Sequence, residues 1–268
     1  MTNVIKATGE VEPFSEEKIV SSIKRAGIPK NLQDKALEQV KLSLYENIPT
    51  SEIYNSVIDF LNREASPIKA KYSLKKAIMA LGPTGYPFED FVSDILISKG
   101  YVTQVRSILN GKCVSHEIDI IAQKDNEKIM VEAKFHNDSG IKTDVHVSLY
   151  TKARFDDLKE KYKFSKACLY TNTKITPDAL TYALCVDMGV VSWSYPENES
   201  LRDLVEKFKL YPLTILPSLS SNQTQILLQN HIILVKDICK NRDCLDLLPI
   251  ESEKKNTVFE EAKAICHF

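Results

Sequence analysis

From residue 82 to residue 87 the chain reads Gly-Pro-Thr-Gly-Tyr-Pro, and no other stretch constrains its folding as strongly. Two glycines and two prolines in six residues can continue neither helix nor strand, so a domain boundary belongs there. The pattern on its two sides differs. Residues 1–82 read as two short strands around a turn at Thr8-Gly9, followed by four helices. Ser15 is placed to cap the first helix, whose apolar face is Ile19, Val20 and Ile23, and Gly27 to stop it. Pro67 opens the fourth, as a proline at the first helical position does.

Past the boundary, Phe88, Phe91, Val92, Ile95 and Leu96 line one side of a helix that ends at Gly100. The period then falls from 3.6 to 2. Strands are expected over 101–108, 116–122, 128–135, 167–171 and 189–194, with helices over 144–160 and 177–187. That order is an α/β layout with a mixed sheet flanked by helices. From about 200 to the end short helices return, with apolar segments Thr224–Leu228, Leu234–Ile238 and Phe259–Ile265. The expected organisation is therefore a mainly helical domain at 1–82, an α/β domain at 86–197 and a small helical module at 200–268.

Composition excludes little. At 268 residues with 43% hydrophobic and 26% charged side chains, the chain is globular rather than disordered. No apolar run approaches the roughly 20 residues a bilayer needs, and no secretory leader is evident, so a cytoplasmic address is expected. Cys113, Cys168, Cys185, Cys239, Cys244 and Cys266 contain no C-x-x-C pair and read as reduced, mostly buried thiols. Cys239, Cys244, Cys266 and His267 match the spacing of no common zinc site. A net charge of -1 argues weakly against a nucleic-acid partner, but Lys69, Lys71, Lys75 and Lys76 cluster locally, as do Lys152, Arg154, Lys159, Lys161, Lys163 and Lys166. Either group could follow a phosphate backbone, and either is equally a solvated helix face.

The chemistry concentrates in two strands. In Glu117-Ile118-Asp119-Ile120-Ile121 the isoleucines at 118 and 120 face one side and Asp119 the other. In Ile129-Met130-Val131-Glu132-Ala133-Lys134-Phe135, Glu132 and Lys134 share a face. The short polar connection from Gln123 to Glu127 makes the two strands an antiparallel hairpin. Two carboxylates thus stand on neighbouring strands, with a lysine about 7 Å further along. Such hard oxygen donors, with the Ala133 carbonyl, suit Mg²⁺ or Mn²⁺, which would polarise a phosphodiester and lower the pKa of a water. Lys134 would orient or deprotonate that water, or offset charge growing on the phosphate. The plain alternative is the solvated face of an amphipathic hairpin.

Residues 86–195 resemble the Mrr-like branch of the PD-(D/E)XK nuclease superfamily, the restriction-endonuclease-like fold. The resemblance lies in Tyr86-Pro87-Phe88-Glu89-Asp90-Phe91, Gly100-Tyr101, His116-Glu117-Ile118-Asp119-Ile120 and Val131-Glu132-Ala133-Lys134, and continues through 167–172 and 175–179. It implies a metal-dependent endodeoxyribonuclease with Asp119 and Glu132 as metal ligands, Lys134 completing the motif and Glu89 aimed at the same site. Of the glycines common before the family's aspartate, Gly111 alone remains.

Residues 3–81 resemble the ATP-cone, a nucleotide-sensing domain. Val4-Ile5-Lys6-Ala7-Thr8-Gly9-Glu10-Val11-Glu12-Pro13-Phe14, Lys18-Ile19, Thr50-Ser51-Glu52-Ile53 and Lys71-Tyr72 carry it. It implies ATP or dATP as a regulatory ligand, with Lys6 and Lys18 at the phosphates and Val4, Glu12 and Thr50 around base and ribose. Ala7 stands where the family usually has a second basic residue. ATP-cones often control oligomerisation, so a homo-oligomer is expected. The C-terminal module is faintly similar to helix-hairpin-helix or SAM-like domains, without their hairpin glycines. The expected function is a Mg²⁺-dependent DNA endonuclease regulated by ATP or dATP, with genome defence as its setting. Its rival is a catalytically inactive, nucleotide-responsive DNA-binding regulator. A third reading is a modification-dependent reader that recruits proteins through residues 200–268.

Overall fold

The computed structural model describes residues 2–25, 30–64 and 73–266. Pro67, Gly27, Lys69 and Lys71-Tyr72, which figure in the sequence reading, lie outside them. The chain forms two compact units divided between Lys76 and Ala77.

In the first unit, strands β1 (Asn3–Ile5) and β2 (Val11–Pro13) pair antiparallel, and β1 pairs in parallel with β3 (Ile48–Pro49), giving the order β2-β1-β3. Gly9, with φ of 80°, supplies the left-handed residue that the β1–β2 turn needs. Helices α1 (Glu16–Arg25), α2 (Lys30–Leu42) and α3 (Thr50–Glu64) follow. The Ser15 hydroxyl caps α1 by accepting the Lys18 amide at 3.3 Å. Val4, Ile23, Ala36, Val40, Ile48, Ile53 and Val57 form one core.

The second unit begins with the short α4 (Leu74–Met79), which straddles the division, and α5 (Tyr86–Ser98). Its sheet has five strands: β4 (Val102–Asn110), β5 (Ser115–Lys124), β6 (Glu127–Lys134), β7 (Lys166–Thr171) and β8 (Gly189–Val191). They lie in chain order, with β4–β5–β6 antiparallel and β6–β7–β8 parallel. The fold is thus α/β with a mixed sheet, as the periodicity implied. Crossovers α6 (Val145–Tyr162) and α7 (Pro177–Cys185) supply the parallel connections. Helices α5 and α6 cover opposite faces of β6. Phe88 of α5 packs with its ring tilted against Phe135, centres 5.5 Å apart, while Tyr150 and Arg154 of α6 reach Glu132. Phe88 and Phe91 are fully buried, each contributing about 1.5–3 kcal/mol through the area removed from water.

After β8 come α8 (Leu201–Phe208), α9 (Ser221–Gln229), α10 (Val235–Lys240) and α11 (Ser252–Cys266), with two short 3-10 turns. Thr214 donates to the Ala77 carbonyl at 2.6 Å and Gln225 to the Gly82 carbonyl at 2.8 Å, tying these helices to the start of the unit. No helix among the described residues is long and apolar enough to cross a membrane.

Three expectations need correction. Cys239 and Cys266 are bonded to each other, joining α10 to α11, and Cys113 and Cys185 are exposed. The thiols are therefore neither all reduced nor mostly buried. Trp193 sits half-buried in a turn past β8 rather than on a strand. Strict alternation also fails in β5. Ile120, Ile121 and Ala122 are all buried, and Ile118 shares a core cluster with Ile121, because helices cover the sheet on both sides.

Candidate active site

The β5–β6 hairpin closes through the two-residue turn Asp125-Asn126, with Asp125 in the left-handed region at φ 52°. Pairing runs from Lys124–Glu127 to Ile120–Val131 and stops there. The next residue is Asp119, and its Oδ2 accepts the Ala133 amide at 2.7 Å, a side chain replacing the ladder. On its other side, Val105 pairs with Ile120 and Ser107 with Ile118, while Arg106 between them holds φ of 51°. Both neighbouring ladders are thus interrupted at Asp119. The Ser107 hydroxyl beside the interruption is buried without a hydrogen-bond partner among the described residues.

Glu132 is 8% exposed. Its Oε1 accepts the Tyr150 hydroxyl, and its Oε2 pairs with Arg154 at 2.7 Å. Arg154 also donates to the Glu117 carbonyl, which ties α6 to β5. Burial lifts the Tyr150 hydroxyl above the usual phenol range, and the Glu132 carboxylate adds to the effect. Asp119 is pushed up to about 7, first by burial and then by the Glu132 charge, against the pull of the Ala133 amide. A second carboxylate this close is hard to keep ionised without a cation.

Lys134, half-buried at the end of β6, pairs in register with Thr171 and makes no ion pair among the described residues. Beyond it, Thr143 bridges the His136 ring at 2.9 Å and the Thr171 hydroxyl at 2.7 Å, and Asn172 bonds the His136 backbone at both ends. This buried polar chain fixes the strand end that carries the lysine.

Glu89, in the first turn of α5, is buried and its carboxyl is raised mainly by burial. It meets Arg106 at 3.2 Å, and Asp90 meets the same guanidinium at 2.7 Å. Glu89 and Asp119 lie close enough for each acid to feel other site charges: Glu89 raises Asp119, and Glu117 raises Glu89.

Asp119 feels the charges of Glu132 and Glu89, and Lys134 stands two residues beyond Glu132 on β6. Sequence reasoning missed Arg106 and Tyr150 and took Arg154 only as part of a charge cluster. No spacing signal points to them, because they come from an edge strand and from a helix crossing the opposite side. Asp119 and Glu132 bring two carboxylates together, the hard oxygen donors a divalent cation takes, but among the described residues no group of three or more acid, histidine or cysteine side chains is placed to hold a metal.

In the first unit Val4 is paired with Glu12 on one side and Ile48 on the other, and Thr50 opens α3 two residues later. Glu12 holds Lys6 at 3.0 Å and Lys18 at 2.8 Å. The Lys18 and Lys6 ammonium groups keep the Glu12 carboxyl below its usual range, and Glu12 in turn raises Lys6. All five residues named from the sequence are therefore in one neighbourhood, with both lysines clamped by an acid.

Three family models match the chain: ATP cone domain over residues 2–78, restriction endonuclease over 82–194, and AF1548-like, C-terminal over 211–266. An uncharacterised protein of Archaeoglobus fulgidus is 35% identical over 172 residues, covering 64% of this chain and 97% of that one. The crystal structure of AF1548, a protein of unknown function, superposes with a TM-score of 0.61 at 32% identity, over 69% of this chain and all of that chain.

Proposed function

Because the chain belongs to the AF1548-like family, with a restriction-endonuclease domain behind an ATP cone, we propose that it is a metal-dependent DNA endonuclease regulated by ATP or dATP. The observation that best supports this reading is the interruption of both ladders at Asp119, whose buried carboxyl is raised by the Glu132 charge.

Asp119 and Glu132, with the Ala133 carbonyl, would hold Mg²⁺ or Mn²⁺, and the bound ion would supply Lewis-acid polarisation of the phosphate and an acidified water. The chain's own groups do the rest. Arg154 and Tyr150 orient Glu132, as outer partners of a ligand carboxylate do. The Ala133 amide aims Asp119. Lys134 positions the attacking water, and its charge offsets that developing on the phosphate. Glu89 adds a third carboxylate at the edge of the site. Residues 1–82, 86–197 and 200–268 serve respectively as nucleotide sensor, catalytic domain and accessory module. ATP or dATP phosphates displace Glu12 from Lys6 and Lys18, while Val4 and Thr50 border base and ribose. With no P-loop in the sequence, the nucleotide is a ligand and not a fuel. The working form is a homo-oligomer in the cytoplasm, and genome defence is the setting that joins DNA cleavage to nucleotide sensing.

The rival reading, a nucleotide-responsive DNA-binding regulator that does not cut, draws on one observation. Both Glu132 oxygens are already engaged, by Tyr150 and Arg154. Supercoiled and linear DNA incubated with Mg²⁺ or Mn²⁺, with and without ATP and dATP, separates the two. Metal-dependent nicking that Asp119→Ala and Lys134→Ala abolish establishes the nuclease. DNA binding with no cutting on any substrate selects the regulator.

A further inference from the structure

At the start of α5 lies a cleft of about 490 Å³, within the range of small-ligand sites, bordered by the first turn of that helix, by Arg106 and by the end of α9. Tyr86 opens α5 and is 57% exposed, and the Arg106 guanidinium stands over its ring at 5.8 Å from the centre. Glu89 and Asp90 hold the guanidinium from behind. The flat cation is thus set before any ligand arrives, which lowers the ordering cost of binding. Across the cleft, Gln225 and Gln229 are four residues apart on α9 and share a face. Gln225 donates to the Gly82 carbonyl and keeps its oxygen; Gln229 is exposed. His231 bonds Asp90 through Nδ1 at 2.9 Å, leaving Nε2 toward solvent.

We infer that this cleft receives one unstacked nucleobase of the DNA strand being cut, stacked on Tyr86 and Arg106 and read along its edge by Gln225, Gln229 and His231. The inference rests on the nuclease reading for its substrate. An aromatic face, a planar cation and amide edges together are the chemistry of base recognition, whereas phosphate would meet Asp90 at close range. Arg106 links the cleft to the catalytic strands. It lies on β4 opposite Asp119 of β5 while its side chain lines the cleft, so a base held there would sit on the strand that borders the catalytic pair.

The test is binding by fluorescence anisotropy of the full chain in EDTA, which stops metal-dependent cutting. The probes are a single strand of deoxyadenosines and an abasic strand with the same number of phosphates. Wild type is expected to prefer the strand with bases, and Tyr86→Ala to lose roughly 5- to 150-fold on that strand alone, the range for one base–aromatic stack. Tyr86→Phe is expected to retain the preference. Equal binding of both strands by wild type, or an equal loss on both by Tyr86→Ala, overturns the inference. Cleavage in Mg²⁺ without any base preference leaves the nuclease standing and removes the cleft from it; base preference without cleavage does the reverse.

Discussion

Asp119 sits in a local electrostatic conflict, since its folded pKa is raised while an unfolded aspartate keeps the ordinary value. The folded state therefore binds a proton that the unfolded state has lost. Its favourable contribution is complete below about pH 4 and disappears as pH rises through about 7. The metal-free protein is expected to lose thermal stability across that window, and Mg²⁺ to raise Tm more at pH 8 than at pH 6. Asp119→Asn, which keeps the acceptor for the Ala133 amide, should raise the metal-free Tm at pH 8 and abolish both the Mg²⁺ effect and cleavage. Differential scanning fluorimetry over pH with and without metal checks all three. Arg154 raises a separate question, because removing it leaves the buried Glu132 short of its cation. Arg154→Ala is expected to destabilise by about 2 kcal/mol in urea unfolding, less than a fully buried pair because the arginine is partly exposed. Had the pair been a passive surface contact, the loss would stay below about 1 kcal/mol.

The elements were readable where one physical rule dominated. Strands β4 to β7 begin and end within two residues of the ranges the period-2 pattern implied, apart from the alternation in β5. The helix after the glycine-proline stretch likewise ends at Ser98, capped by Lys99 and followed by Gly100 at φ 91°. Helix α8 is fixed by a device that hydrophobic period alone does not reveal. Ser200, 1% exposed, accepts the Asp203 amide, and the Asp203 carboxylate returns to the Ser200 amide, a reciprocal capping box. Ser200→Ala is expected to lower stability by about 1 kcal/mol, measured by urea unfolding, without altering DNA binding. No comparable local rule marks the pairing of Cys239 with Cys266, because residues 27 apart meet only once α10 and α11 pack together.

For the whole molecule, the proposal joins a sensor and a cutter. The ion clamp in the first unit gives it a handle: Glu12 holds both lysines until phosphate competes. Lys6→Ala combined with Lys18→Ala is expected to abolish ATP and dATP binding in calorimetry. The same change should erase any nucleotide effect on cleavage while basal cleavage in Mg²⁺ persists. Loss of basal cleavage as well would mean that these lysines serve something other than nucleotide sensing.

By itself the amino-acid sequence determined the α/β class and the strands bearing Asp119, Glu132 and Lys134. Each follows from local rules: glycine and proline cannot extend an element, and side-chain period reports which face is buried. Tertiary structure alone decided what those acids experience. Tyr150 and Arg154 reach Glu132 from a helix 18 and 22 residues further along, and Arg106 reaches Glu89 from an edge strand. The physical reason is that electrostatic environment depends on distance through space and on exclusion of water, and neither is written in the spacing of residues along one strand.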